Sequence, residues 1–228
     1  MEAKNKPFVR IRLDFLLDVQ RGSYEKSDLL VLSALKMSSN FNFGCRASIV
    51  TVDMILSMCN MSKQHKSKTM IMDSLFNLKE GGLIELYGDM MFENVIEDKS
   101  IKSTDLIYVK FGRIEDNKDS KFSMVFIEDI VKMLKLGEKN PSKLLYLYSF
   151  ILGGIYDKGT RYNMISIADV SEQCDIDKKT ATKYVQMLHD AELLYKTKKA
   201  FIESGITKTI NVYTRFCYKD EVEARMLR

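Results

Sequence analysis

The sequence has little of what most catalytic, metal-binding or secreted proteins need. Its 228 residues include two prolines, two histidines and no tryptophan. The two histidines lie far apart in the chain, and the four cysteines, Cys45, Cys59, Cys174 and Cys217, form no CxxC pair. This spacing argues against a zinc site, and in a reducing compartment such cysteines are typically small buried side chains. We therefore expect no metal and no cofactor.

Long apolar runs are also missing. No run approaches the ~18 residues that a membrane-spanning helix needs, and the opening stretch MEAKNKPF lacks the apolar core of a signal peptide. With 46% hydrophobic and 29% charged residues, the composition is typical of a folded globular chain. We expect a cytoplasmic protein without membrane contact, made of one large domain or two small ones.

The sequence repeats itself. Residues 6–63 align with residues 121–178 without a gap and are identical at 11 of 58 positions. Beyond this segment the offset changes from 115 to 110 residues, so that Leu78 aligns with Leu188. A repeat of this length indicates two diverged copies of one domain. We place the copies at 1–114 and 121–228, joined by a polar linker at 115–120.

Both copies have the same order of predicted elements, which is helix, helix, turn, helix and hairpin. In copy two, Pro141 suits the first position of a helix, and Ser166 and Asp177 are predicted N-caps of two short helices around a tight turn. The predicted hairpin has one strand from Leu193 to Lys198, a polar stretch through Gly205, and a second strand from Thr209 to Phe216.

Copy one repeats this order with a longer connection in its hairpin. The corresponding segments are helices at 27–37, 51–58 and about 63–79, strands at 83–87 and 106–111, and the long connection between them at 89–105. Each copy also opens with an apolar segment, at 8–19 and 122–136, which predicts a strand that runs into a short helix.

Helix, turn and helix with a hairpin behind them resembles the winged helix-turn-helix, in which the second helix of the pair lies in the DNA major groove. The segment ISIADVSEQCDIDKKTATKYVQMLHDAELLYKTKK carries the resemblance best. It implies an α+β, mainly helical fold with two winged helix-turn-helix domains related by internal duplication.

The proposed recognition helix of copy two has a polar, cationic side. Its apolar residues at 181, 184, 185 and 188 are spaced to face a core. The side that remains exposed carries Lys178, Lys179, Thr182, Lys183 and Gln186. Lysines neutralise phosphates, while threonine and glutamine contact base edges, glutamine pairing with adenine. A second basic group on the hairpin consists of Lys196, Lys198, Lys199 and Lys208. The alternative is an ordinary solvated lysine-rich helix.

Copy one has a smaller basic cluster. It consists of Lys63, His65, Lys66 and Lys68, with no acidic residue before Asp73. We predict phosphate contacts here as well, against the alternative of a solvated helix face. The segment 88–120 holds 5 basic and 8 acidic residues. We therefore expect copy one to bind DNA more weakly than copy two, or to bind a protein through this acidic segment.

The residue patterns of common catalytic sites are missing. Gly81-Gly82 and Gly153-Gly154 have no GxxxxGK frame and are predicted helix ends. A rolling-circle nuclease needs closely spaced histidines to bind a metal beside its tyrosine nucleophile, and the two remote histidines cannot form such a site. We expect that the protein is not an enzyme and has no small-molecule substrate.

Two winged-helix lobes in one chain resemble the plasmid replication initiators that bind repeated origin sequences, the iterons. The opening FVRIRLDFLL is also similar to phage replisome organisers. The resemblance implies a sequence-specific binder of double-stranded DNA, with replication initiation preferred over transcriptional repression or a DNA-transfer accessory role. A winged-helix adaptor that holds proteins is the alternative from another class. Replication proteins and a second copy of the chain, forming a homodimer, are further partners left open.

Overall fold

The computed structural model describes residues 6–42, 45–112, 121–155, 159–203 and 206–226. The fold is a mixture of helix and sheet, in agreement with the predicted α+β class. The chain divides into two compact units. Arg21–Lys121 form what we name the continuous unit, and Met1–Gln20 together with Phe122–Arg228 form the split unit.

Helices and strands are distributed over all of the described residues. The first half contains β1 (Phe8–Arg12), α1 (Leu13–Gln20), α2 (Lys26–Ser38), β2 (Asn40–Asn42), β3 (Cys45–Val50), α3 (Val52–Met58), α4 (His65–Glu80), β4 (Ile84–Tyr87) and β5 (Ile107–Phe111). The second half contains β6 (Phe122–Phe126), α5 (Ile127–Leu134), α6 (Pro141–Gly153), β7 (Asn163–Met164), α7 (Ile167–Gln173), α8 (Lys178–Asp190), β8 (Leu194–Glu203), β9 (Ile206–Arg215) and α9 (Lys219–Met226).

The first strand of the chain belongs to the split unit because it pairs with β6. The two strands are antiparallel, with Phe8 opposite Phe126, and the side chains of Val9 and Ile11 are buried. Residues 6–20 thus belong to the split unit, whereas the predicted first lobe spans 1–114. The predicted linker at 115–120 lies outside the described residues.

An almost wholly apolar helix, α6, forms the core of the split unit. Leu144 to Ser149 are all buried, as expected of a helix that is hydrophobic all round. The hydroxyl of Tyr146 donates to the carbonyl of Leu16 in α1 at 3.0 Å. The hydroxyl of Tyr148 donates to Asp129 in α5 at 2.7 Å. The two strand-and-helix segments predicted at 8–19 and 122–136 therefore both pack against this core.

Each unit has one sheet of three or more strands, and three strands of each sheet follow the same order. The continuous unit has the order β2-β3-β5-β4 and the split unit has β7-β9-β8. In the continuous unit the last strand, β5, pairs with β4, which follows α4, and with β3, which precedes α3. In the split unit the last strand, β9, pairs with β8, which follows α8, and with β7, which precedes α7. The short strands β3 and β7 were not predicted.

The ends of the paired helices have matching backbone geometry. A positive φ occurs after α3 at Asn60 (52°), after α4 at Gly82 (69°), after α7 at Asp175 (46°) and after α8 at Glu192 (53°). After α4 the amide of Leu83 donates to the carbonyl of Leu78 at 3.0 Å, and after α8 Leu193 donates to Leu188 at 2.9 Å. These are Schellman motifs, which satisfy the last carbonyls of a helix. The positive-φ residues after α3 and α7 are 115 positions apart and those after α4 and α8 are 110 positions apart, which are the two offsets of the sequence repeat.

The hairpin of the split unit is longer than predicted. Its two strands pair over ten residues each, from Leu194 opposite Arg215 to Glu203 opposite Ile206. The prediction of a polar loop between Lys198 and Thr209 is therefore wrong. Both faces of a projecting two-stranded ribbon meet solvent, so polar side chains do not end the strands, and the β-branched residues at 202, 207 and 209 favour them.

Candidate nucleic-acid interface

The starts of α7 and α8 are fixed by N-cap side chains, and a short turn joins the two helices. The Ser166 side chain accepts a hydrogen bond from the amide of Asp169 at 3.0 Å, and Asp177 accepts one from Thr180 at 2.9 Å. Both predicted N-caps are confirmed. A hydrogen bond from Thr180 lowers the pKa of Asp177 below its usual value, so the cap is charged at neutral pH. Four residues separate the two helices, which gives a tight helix-turn-helix.

The second helix of this pair buries one face and exposes the other. The buried residues are Ala181, Tyr184, Val185 and Leu188, none of them more than 2% exposed. The exposed residues include Lys178, Lys179, Thr182, Lys183 and Gln186. The predicted orientation of this helix is thus confirmed, and the structure places all five predicted contact residues of α8 on its solvent side. Their contact with DNA stays a prediction.

Two of these lysines stand where helix stability disfavours a cation. Lys178 and Lys179 lie in the first turn of α8, which has no acidic residue. The amides at a helix N-terminus carry partial positive charge, so a cation there costs about 0.3 to 1 kcal/mol. Within the described part of the chain neither lysine has an acidic partner. Their charges do not stabilise the fold and are available to an external anion.

The other three polar side chains of this face have intramolecular partners. The ammonium of Lys183 lies 2.7 Å from Glu138, the Gln186 amide donates to Asp190 at 2.7 Å, and the Thr182 hydroxyl donates to the carbonyl of Lys178 at 2.8 Å. The hydrogen bond from Lys183 lowers the pKa of Glu138. These exposed bonds orient the side chains without contributing much free energy.

Sequence reasoning did not find the two acidic partners on this face. Asp190 had a local signal, since it lies one helical turn after Gln186. Glu138 had none, because it lies 45 positions before Lys183 and precedes α6.

The four hairpin lysines do not form one group. Side chains alternate between the faces of a strand, and residues directly opposite in an antiparallel pair share a face. Lys196 and Lys198 therefore lie on one face. Lys199 lies on the other, together with Lys208, which is paired with Phe201. The base of the hairpin is attached to α8, because the amide of Lys196 donates to Nδ1 of His189 at 3.3 Å.

In the continuous unit the basic cluster lies at the start of α4. Lys63, His65 and Lys66 are exposed, and the first turn of α4 has no acidic residue. Lys68 is half-buried, with its ammonium 3.1 Å from Asp53 and 2.8 Å from the hydroxyl of Ser103. Its hydrogen bond lowers the pKa of Asp53. The structure thus brings three of the four predicted residues together at an open surface and ties the fourth to its own unit.

The connection between β4 and β5, which we name the insert (residues 88–106), lies along α4. Lys79 of α4 donates to the carbonyl of Ile96 at 2.7 Å and lies 2.8 Å from Glu97. Lys99 of the insert lies 2.5 Å from Asp73 of α4. The amide of Asp53 donates to the carbonyl of Ser103 at 3.1 Å. The sequence predicted the length of this connection but not its contacts.

Metal-binding clusters, membrane-spanning helices and reactive cysteines are the features that would indicate another kind of site. No three His, Cys, Asp or Glu side chains in the described ranges are grouped so that they could hold a metal ion. Over the same residues, the helices are too short or too polar to cross a membrane. Cys59 and Cys174, at matching positions of the repeat, are buried thiols outside any disulfide. Burial raises the pKa of Cys59 to about 12, so its thiol is protonated and unreactive.

Similarity to known proteins is limited to approximate structural likeness. No protein-family model matches the chain, and no curated protein does. The solved structure of RctB domains 2-3 is similar with a TM-score of 0.47 at 13% identity, covering 86% of this chain and 83% of that one. The structure of Pi initiator protein in complex with iteron DNA is similar with a TM-score of 0.47 at 14% identity, covering 91% and 97%. At such values neither likeness defines a function for this chain.

Proposed function

We propose that the protein is a sequence-specific double-stranded DNA-binding protein that acts as a replication initiator, by binding and without catalysis. In this proposal each unit contains a winged helix-turn-helix module, and the two modules are diverged copies of one ancestor. The shared element order, the shared strand order and the paired Schellman motifs support the duplication.

The observation that carries the proposal is the exposed face of α8. Five residues able to contact phosphates or base edges share that face, while the opposite face is anchored in the core. A helix held in this way can enter the major groove without losing its packing. The lysine-bearing hairpin beside it supplies further cations for the DNA backbone.

Charge reversal at the start of α8 tests this proposal without damaging the fold. Lys178→Glu together with Lys179→Glu removes two phosphate contacts, so affinity for duplex DNA should fall about 10- to 100-fold at ~0.1 M salt. The same change places carboxylates at a helix N-terminus and should raise the free energy of unfolding by about 0.3 to 1 kcal/mol per substitution. Fluorescence anisotropy measures the first effect, and urea denaturation measures the second.

The two effects of this variant have opposite signs, which makes the test decisive. A variant that is at least as stable as the wild type yet binds DNA poorly supports groove contact by α8. A variant that retains wild-type affinity and salt dependence removes α8 from the interface and contradicts the proposal. Lys132→Glu and Lys135→Glu, on the exposed side of α5 and at its end, form the matched control, which should leave affinity nearly unchanged.

Replication initiation is distinguished from repression by the bound DNA. Two modules in one chain suit a site with two successive groove segments, repeated in tandem. A footprint over tandem repeats beside an AT-rich segment supports initiation, and one inverted repeat over a promoter supports a transcriptional repressor. A lone site at a DNA-transfer origin would support an accessory role in transfer.

One surface favours the protein adaptor as a second candidate. In the insert, Met90 and Met91 are 49% and 64% exposed, although Asp89 accepts backbone hydrogen bonds from Met91 and Asn94 that order the loop. Exposed methionines are typical of adaptable protein-binding surfaces. An adaptor would show no salt-dependent binding to duplex DNA, so the anisotropy titration also separates these two classes.

A further inference from the structure

The two helix pairs can be compared position by position. The Schellman motifs that end α4 and α8 are identical in their hydrogen bonds and are separated by 110 residues, as are the buried residues Leu78 and Leu188. With this offset, the five contact residues on α8 have direct counterparts on α4. The counterparts of Lys178, Lys179, Thr182, Lys183 and Gln186 are Lys68, Thr69, Met72, Asp73 and Phe76.

The insert contacts three of these five counterparts, and we name the surface that the five form the covered face. The Lys68 ammonium is held by Asp53 and by Ser103 of the insert. Asp73 is paired with Lys99 of the insert. Phe76 is only 5% exposed, and the ammonium groups of Lys79 and Lys99 each lie 5.8 Å from its ring centroid. On α8 the residues at all five positions are exposed.

The chemistry of the covered face is also wrong for reading bases. Methionine, an ion-paired aspartate and a buried phenylalanine replace the threonine, lysine and glutamine of α8. An aspartate at this face repels phosphates, and a buried aromatic ring offers no donor or acceptor to a base edge. Only Thr69 stays exposed, and its hydroxyl donates to the carbonyl of His65 at 3.1 Å.

The exposed cations of this helix pair lie before the covered region. The Lys63 side chain is 60% exposed and its ammonium is 3.9 Å from Asp53, too far for a hydrogen bond. Lys66 is exposed and has no acidic partner among the described residues. Flexible exposed ammonium groups of this kind act mainly as point charges on phosphates.

We infer that the two units divide the work of DNA recognition: α8 of the split unit reads the base sequence, and the continuous unit holds phosphates through Lys63 and Lys66 without reading bases. The inference rests on the proposed function and adds to it the subsite of each unit. The contacts of the insert with α4 leave the continuous unit able to bind phosphates but not to contact base edges.

The test compares matched variants of the two units on a panel of duplexes. The panel contains the sequence that the full chain selects from random oligonucleotides, single-base variants of it, and an unrelated duplex. Lys63→Gln with Lys66→Gln should lower affinity by the same factor on every duplex and reduce the slope of log K against log salt by about two. Gln186→Ala should reduce discrimination at one or two positions by about tenfold or more and leave the salt slope nearly unchanged.

A second pair of variants examines the covered face directly. Met72→Leu and Thr69→Ala should leave the selected base sequence unchanged, whereas Thr182→Ala should alter it. Circular dichroism and urea denaturation confirm that each variant is folded. The inference is overturned if a variant at 63, 66, 69 or 72 changes base preference at any position, or if Lys63→Gln with Lys66→Gln leaves the salt slope unchanged.

The two levels of the proposal fail in different ways. If the wild-type chain shows no salt-dependent binding to any duplex, the proposed function itself is wrong and the division of work falls with it. If binding and its dependence on Gln186 persist while variants of α4 shift base preference, the function stands and only the division of work is wrong.

Discussion

Glu192 has a backbone conformation that costs most residues energy. It follows the end of α8 with φ of 53°, where α4 has Gly82 with φ of 69°. A left-handed conformation costs a residue with a Cβ about 1 to 2 kcal/mol, and glycine loses some of this advantage through its larger freedom in the unfolded chain. Glu192→Gly should therefore stabilise the protein by about 0.5 to 1 kcal/mol in urea denaturation.

The opposite substitution in the other unit provides the control. Gly82→Ala should destabilise the protein by a similar amount, because it introduces a Cβ at the same backbone position of α4. Loss of stability in Glu192→Gly would show that the carboxylate makes a compensating interaction.

Asp28 is a buried carboxylate whose charge the fold opposes. It is 0% exposed, and one of its oxygens accepts hydrogen bonds from the amide of Glu25 at 2.8 Å and from the side-chain amide of Asn77 at 3.5 Å. Burial raises the pKa of Asp28 above its usual value. A raised folded pKa means that stability is greatest below the unfolded pKa of about 3.9 and is lost as the pH rises through the folded value.

Asp28→Asn should therefore gain stability relative to the wild type between about pH 4 and pH 7, because the amide cannot ionise and still accepts from Glu25. Urea denaturation at several pH values measures this difference. Asp177→Asn is the control with the opposite trend, since the Thr180 hydrogen bonds lower the pKa of Asp177 and its contribution is lost as the pH falls. Parallel pH profiles for wild type and Asp28→Asn would contradict the prediction.

The hairpin β8–β9 has two lysine-bearing faces, which the proposed function makes testable against DNA. Lys196 and Lys198 lie on one face, and Lys199 and Lys208 lie on the other. A ribbon that lies on the DNA backbone brings one face close and turns the other away. One of the double variants Lys196→Gln/Lys198→Gln and Lys199→Gln/Lys208→Gln should therefore reduce the salt slope of binding by about two, and the other by nearly zero.

This hairpin experiment has a clear contrary result. Equal reductions for the two double variants would mean that the hairpin contacts DNA along its edge or its tip. The same anisotropy titrations that serve for α8 measure both variants.

The elements that could be predicted from the sequence are those with local signals. Ser166 and Asp177 cap helices through amides three residues away, and the faces of α8 follow from its own apolar spacing. The length of β8 could not be predicted, because polar residues of a solvent-exposed ribbon look the same as those of a loop. The insert's cover over α4 depends on pairs such as Lys99 with Asp73, 26 positions apart, for which one sequence has no signal.

The division of the chain into two units can be tested through Ile11. This residue is 1% exposed in β1, and β1 is paired with β6 of the split unit. Ile11→Ala should cost about 2 to 4 kcal/mol through lost burial and a cavity. In hydrogen exchange, protection should fall for peptides within 122–226 and stay unchanged for peptides within 21–112.

Ile71→Ala is the matched variant for the other unit. Ile71 is fully buried in α4, so its truncation should lower protection within 21–112 and spare 122–226. If Ile11→Ala instead lowers protection in both ranges alike, the two units unfold as one cooperative body.

The pairing of β1 with β6 also sets the order of events during synthesis. The ribosome makes residues 8–12 first, but their partner strand at 122–126 follows only after the whole of the continuous unit has been translated. At about 5 to 20 residues per second this delay lasts roughly 6 to 23 seconds. A nascent chain thus completes the middle of its sequence before its beginning, and during that interval the apolar residues of β1 have no partner strand.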